Sequence, residues 1–174
     1  MTNCTSGYED MDNVKEVMKV FTEDDFTTTF TSALDIYTYD NFLRAACKFP
    51  MFCGEISSHI SGTTTLAEVC KLEVATIFAH MMYESSDFTL AADSSCSDGD
   101  GGSDCDYIRE SAVAETEYPA VDGQQYYGRG VMMLKWSDGF GKFSDIAYDG
   151  GLNDRDILLA SPGDVSTDGF WAFA

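Results

Sequence analysis

The segment LAEVCKLEVATIFAHMMYESSDF, residues 66–88 of this 174-residue chain, limits most strongly the folds open to it. Val74, Ile77, Phe78 and Met81 recur at the three- and four-residue spacing that lines one face of an α-helix. The spacing predicts a helix over 66–88, and its apolar stripe needs partners. Shorter segments upstream supply them. DNVKEVMKVF (12–21) places Val14, Val17, Met18 and Phe21 on one face. TEDDFTTTFTSAL (22–34) opens on Thr22, a candidate N-cap followed by acids in the first turn, and offers Phe26, Phe30 and Leu34 for burial. TYDNFLRAACKF (38–49) repeats the pattern and stops before Pro50, where a helix usually ends. GEISSHISGTTT (54–65) reads as a polar loop.

A chain of this length fits one domain with a substantial core. Hydrophobic residues at 44% and aromatics at 13% argue for folding in spite of thirty acidic residues against ten basic ones, a net charge of −20. That field repels polyanions, which argues against nucleic acid and anionic membrane as partners. No apolar run approaches the roughly 20 residues that span a bilayer. Cys4, Cys47, Cys53, Cys70, Cys96 and Cys105 form an even set with no CxxC pair and no zinc spacing, which favours disulfides and an extracellular, secreted protein. The Asn3-Cys4-Thr5 sequon points the same way. Cys96 and Cys105 flank one loop, and Cys53 and Cys70 could close another; sequence does not choose among the pairings. The start, MTNCTSGYEDMDN, lacks the basic and apolar regions of a signal peptide. The end, DGFWAFA, breaks off within an apolar helical pattern. Both suggest a chain cut from a longer one, with its natural C-terminus absent.

On the long helix, Glu73, His80 and Glu84 share a second face. Glu84 lies near the C-terminal end, where the helix dipole and apolar neighbours such as Met81 and Phe88 would favour its protonated form, as a general acid requires. The alternative is a solvated surface glutamate. Residues 93–106, DSSCSDGDGGSDCD, carry Asp98, Asp100, Asp104 and Asp106. Calcium suits such oxygens, but Arg109 stands where an EF-hand requires a bidentate glutamate. A solvated loop is the expectation, with no metal or cofactor. QQYYGRGVMMLKW (124–136) reads as a strand that lets backbone approach a site closely through its glycines. Alternation along it sends one of Met132 and Met133 into the core.

Five segments in this order, YTYDNFLRAACKFPMF, EVATIFAHMMYESSDF, DYIRES, YYGRG and LLASPGDVSTDGFWAFA, resemble glycoside hydrolase family 19, the chitinases with a lysozyme-like fold. The resemblance covers about residues 22–174, with 1–21 an N-terminal extension or helix. It implies a mainly α, two-lobed helical domain with a small strand element lining a cleft. The cleft would bind chitin, a β-1,4-linked N-acetylglucosamine polymer, and hydrolyse it with inversion. Glu84 in MYESS takes the position of the family's general acid, and Glu110 in YIRE that of the general base, with Glu115 and Glu117 as fallbacks. Ser86, Tyr127, Arg129, Met133, Lys135 and Trp136 fall along the substrate cleft.

The resemblance is damaged where it is most diagnostic. The family pattern YYGRGPxQLSxNYNYG becomes YYGRGVMMLKWSDGFG, so Met133, Lys135, Asp138 and Gly139 replace Gln, Ser, Tyr and Asn. Leu134 and Gly141 are kept. Tyr83 stands where the family has His before the acid, and Ser86 keeps the hydroxyl of a Thr. A long cation at 135, paired with Glu110, would favour the ionised base and fill the place of the attacking water. Met133 offers apolar contact in place of a hydrogen bond. Three functions follow: an altered chitinase, a chitin-binding protein with little turnover, or an acidic secreted structural protein that reuses the fold and leaves self-association open.

Overall fold

The computed structural model describes residues 4, 6–56, 64–97, 105–107, 116–147 and 156–173. After a 3-10 turn at Tyr8–Asp10 come α1 (Asp12–Val20), α2 (Glu23–Thr29), α3 (Tyr39–Cys47) and α4 (Leu66–Ser85). Threonines start the last three. Thr22 accepts the Asp25 N–H at 3.2 Å while Asp25 accepts the Thr22 N–H at 2.9 Å, and Thr65 and Glu68 repeat this reciprocal capping at α4. Thr38 accepts the Asn41 N–H at the start of α3.

The helices end earlier than the periodicity predicts. The expected helix over 66–88 stops at Ser85, because Ser86, Asp87 and Phe88 all adopt left-handed backbone, with φ of 50°, 58° and 64°. The helix expected from Thr22 ends at Thr29, which leaves Leu34 beyond it and exposed, its N–H donating to Phe88 O at 3.0 Å. Met18 is also exposed, while Val14 and Val17 are fully buried as expected.

Later in the chain lie α5 (Ser94–Ser97), α6 (Ser137–Ala147), α7 (Ile157–Ala160), α8 (Asp164–Thr167) and α9 (Gly169–Phe173). The buried residues form two clusters, which is the two-lobed arrangement. The first gathers α1–α4 around phenylalanines: Phe78 lies 4.8 Å from Phe42 and 5.2 Å from Phe30, centroid to centroid. The second gathers Tyr126, Phe140, Leu158, Leu159, Val165 and Trp171. Helix α9 belongs to both, with Phe170 and Trp171 in the second cluster and Ala172 and Phe173 in the first.

The six cysteines pair as Cys4–Cys47, Cys53–Cys70 and Cys96–Cys105. The first ties the start of the described chain to the end of α3, and the second ties the loop after α3 to α4. Among the described residues no helix is long and apolar enough to cross a membrane, and no cluster of three or more His, Cys, Asp or Glu could hold a metal ion. Most of the acidic loop considered for calcium, residues 98–104, and Arg109 lie outside the described residues.

Candidate active site

The stretch 124–136 is a tight hairpin. Its strand element takes the form of two isolated bridges, Ala92 with Arg129 and Arg129 with Leu134. Arg129 and Leu134 exchange backbone hydrogen bonds at 3.1 and 2.8 Å, and Gly130 O accepts the Met133 N–H at 3.1 Å. The turn needs left-handed backbone at Gly130 (φ 72°) and Met133 (φ 48°), which cuts short any regular ladder. At Gly130 a Cβ would also sit 2.9 Å from Val165 Cγ1 and 3.1 Å from Ala172 O, so this glycine lets the hairpin press against α8 and α9.

Backbone bonds join the hairpin to the two segments that carry the candidate carboxylates. On one side Gly130 N donates to Ala91 O and Asp93 N donates to Gly128 O, both at 2.8 Å; these partners follow closely on Glu84. On the other, Tyr126 N donates to Asp106 O at 2.9 Å, and Ser137 N, at the start of α6 just past the hairpin, donates to Tyr107 O at 3.3 Å, within a few residues of position 110. Glu110 and its fallback Glu115 lie outside the described residues, and Glu117 is exposed.

Glu84 sits on the last turn of α4 and is exposed, as is Tyr83 at 85%. The expectation that Met81 and Phe88 surround the carboxylate is not met. Both side chains turn into the first core cluster, at 3% and 0% exposure. Neither does Glu73 join Glu84 in a shared site: its Oε2 accepts the Cys53 N–H at 2.7 Å. Ser86 is the left-handed C-cap of α4 and is exposed.

Arg129 is buried at 6% exposure, its guanidinium 3.7 Å from the Tyr127 ring centroid and its Nη1 donating to Gln125 O at 2.7 Å. Burial pushes its pKa down, and Tyr127 and Tyr126 oppose that shift. The guanidinium straps the hairpin to itself through carbonyls and rings. Tyr127 is half-buried beneath it.

Of the two methionines, Met133 is buried at 9% exposure and Met132 is 41% exposed, so one does turn inward. Met133 packs on Gly128, where a Cβ would meet Met133 Sδ at 3.3 Å and Lys135 Cε at 3.0 Å. Lys135 thus lies across the open face of Gly128. Its charge also acts on Asp93, whose carboxyl is held below the usual range chiefly by the Ser95 hydroxyl, with the Ser95 N–H and Lys135 adding to the effect against opposing desolvation. Among the described residues Lys135 makes no ion pair. Trp136 is 36% exposed and meets Tyr107 edge-on at 5.1 Å. Asp138 is buried and accepts from Lys142 Nζ at 2.9 Å, and Gly139 packs near Leu134.

Sequence reading passed over three residues beside the candidates. Ser85, next to Glu84, is fully buried; Asp93 feels the charge of Lys135; Tyr107 backs Trp136. Only the position of Ser85, beside a candidate acid at a helix end, gave any signal. An apolar groove of about 350 Å³ between α3, α4 and α9, lined by Phe42, Phe49, Met81, Met132 and Phe173 among others, contains none of the candidate residues.

A mainly helical domain with two buried clusters, and a short hairpin bonded to the segment that follows its longest helix, is a lysozyme-like helical fold. Residues 13–173 match the family described as chitinase class I, so the chain belongs to glycoside hydrolase family 19. It is 32% identical over 132 residues to Chitinase 6 of Oryza sativa subsp. japonica, covering 75% of this chain and 42% of that protein. It is 30% identical over 145 residues to Endochitinase 2 of Gossypium hirsutum, covering 80% and 44%. The chain therefore spans less than half the length of these two relatives. Its fold is that of the class IV family 19 chitinase from Zea mays (TM-score 0.66, 24% identity, 91% of this chain and 68% of that one). It is equally that of chitinase C from Streptomyces griseus HUT6037 (TM-score 0.65, 24% identity, 88% and 62%).

Proposed function

We propose that this chain forms the acid/base half of a chitin-hydrolysing cleft in an extracellular enzyme. Glu84 protonates the glycosidic oxygen as the bond to the anomeric carbon breaks. Glu110 removes a proton from a water that attacks that carbon from the opposite face, so the product is inverted. Inversion needs the carboxyl groups about 6.5–9.5 Å apart to admit the water. The observation that carries this reading is the pair of attachments of the hairpin, to Ala91 and Asp93 after Glu84 and to Asp106 before Glu110. Trp136, with Tyr107 behind it, offers an apolar face for a sugar ring, and Ser86, Tyr127, Arg129, Met133 and Lys135 line or support the same cleft. The test is release of reducing sugar from soluble chitin oligomers, with the anomer of the product read by NMR and the release abolished in Glu84→Gln. Sugar released unchanged by Glu84→Gln, or with retained configuration, overturns the mechanism.

A second reading, a chitin-binding protein with little turnover, is favoured by one observation. Lys135, in the place of a small hydroxyl, covers the face of Gly128 with its aliphatic chain. Retention on chitin beads without sugar release would support it.

A further inference from the structure

Ser86, Asp87 and Phe88 are three successive side-chain-bearing residues in the left-handed region. L-residues rarely adopt that conformation even singly, and such strain persists only where its surroundings over-determine it. The turn is held by Asp87 N to Met82 O at 2.8 Å, Leu90 N to Ser85 O at 3.0 Å, and Leu34 N to Phe88 O at 3.0 Å. Phe88 is wholly buried, its ring 4.5 Å from Phe30 and 5.4 Å from Tyr37 between centroids. One side chain joins the helix to this turn. The Ser85 hydroxyl donates to Met81 O at 2.6 Å, back along α4, and accepts the Phe88 N–H at 2.9 Å, forward into the turn. It is itself fully buried, so no water can substitute for it without entering the core.

We infer that Ser85 is a positioning residue for Glu84: its two-sided hydrogen bond clamps the last turn of α4 to the left-handed turn and fixes the direction in which the adjacent carboxylate leaves the helix. This rests on the proposed role of Glu84 as the acid. The reversal at 86–88 carries Phe88 into the core while Glu84 stays outside, so the helix end is a lever whose inner arm is pinned and whose outer arm bears the acid. Without the hydroxyl the Phe88 N–H is orphaned and the last turn can fray. An acid displaced by even 1 Å fails chiefly in the transition state.

The test combines kinetics with amide exchange. Ser85→Ala is expected to lower kcat by about tenfold or more with KM within about twofold, and to speed exchange of the Phe88 amide by about tenfold. Ser85→Thr, which keeps the hydroxyl, is expected to restore both. Faster exchange with unchanged kcat overturns the inference, as does a lower kcat with unchanged exchange, or a loss in KM alone. Should the unaltered chain release no sugar, the hydrolase reading fails separately. The clamp is then judged by the Glu84 side-chain carboxyl resonance, and no change in its shift on Ser85→Ala overturns it.

Discussion

Glu73 Oε2 accepts the backbone N–H of Cys53 at 2.7 Å, across from α4 to the loop that follows α3. Cys53 is left-handed (φ 58°) and fully buried in its bond to Cys70, so the carboxylate stabilises a turn whose N–H would otherwise be orphaned. Glu73→Ala is expected to cost about 1–3 kcal/mol in chemical denaturation, and Glu73→Gln, which keeps an acceptor, about half of that. Equal losses for the two variants would remove the hydrogen bond as the cause.

The reciprocal caps of α2 and α4 predict an acid limb in stability. Hydrogen bonds from Thr22 hold the Asp25 carboxyl below its usual range, and those from Thr65 do the same for Glu68. A carboxyl depressed in the folded state adds stability that is present above its unfolded value and is lost as pH falls through the folded one. The melting temperature should therefore drop as pH falls below about 4.5, and Glu68→Gln should flatten part of that slope while leaving the remainder.

Gly141 and Gly163 predict opposite outcomes for the same substitution. A Cβ at Gly141 would overlap the Tyr118 ring, whose hydroxyl donates to Asp145 at 2.8 Å. Gly141→Ala should cost about 1–3 kcal/mol through this overpacking. Gly163 has ordinary right-handed helical backbone and open space at its Cβ position, so Gly163→Ala should be neutral or stabilising by up to about 1 kcal/mol. Urea titrations of the two variants decide it.

The departures at 133 and 135 can be separated by mutation. Lys135 reaches across Gly128 and is only half-buried, so Lys135→Ser should leave stability nearly unchanged and raise any hydrolysis the cleft performs. Met133 is buried, and Met133→Gln would place an amide there at a cost of about 1–3 kcal/mol. The double change should thus gain less than Lys135→Ser alone, as measured by kcat/KM and by melting temperature. A larger gain from the double change would mean that position 133 faces sugar.

Sequence periodicity located α1 to α4 because each buries one stripe, and Thr22 was legible as a cap because its chemistry is local. The end of α4 was not legible: Asp87 and Phe88 fit the helical period, and the left-handed turn is held by local bonds to Met82 O, Ser85 O and the Ser85 hydroxyl together with one from Leu34 N, none of which the residue types announce. The strand predicted at 124–136 gave way to a hairpin with two bridges for the same reason, since Met133 adopts a backbone its residue type does not announce. Within the candidate site, Glu84 was singled out by its place near the end of the long helix and then by resemblance. Its exposure, with Met81 and Phe88 facing away into the core, depended on how α4 rotates against α1–α3, which spacing alone does not fix.

The division of rings between the two clusters also decides what light can report. The chain has two tryptophans, Trp136 and Trp171. Trp171 packs in the second cluster and Trp136 against Tyr107 beside it, whereas the core around α1–α4 holds phenylalanine and tyrosine. Indole emission therefore watches one lobe melt, while far-ultraviolet dichroism is weighted to the long helices of the other. If α9, with Trp171 on one side and Phe173 on the other, couples the lobes into a single cooperative unit, the two signals will fall together; if that joint yields first, they will part.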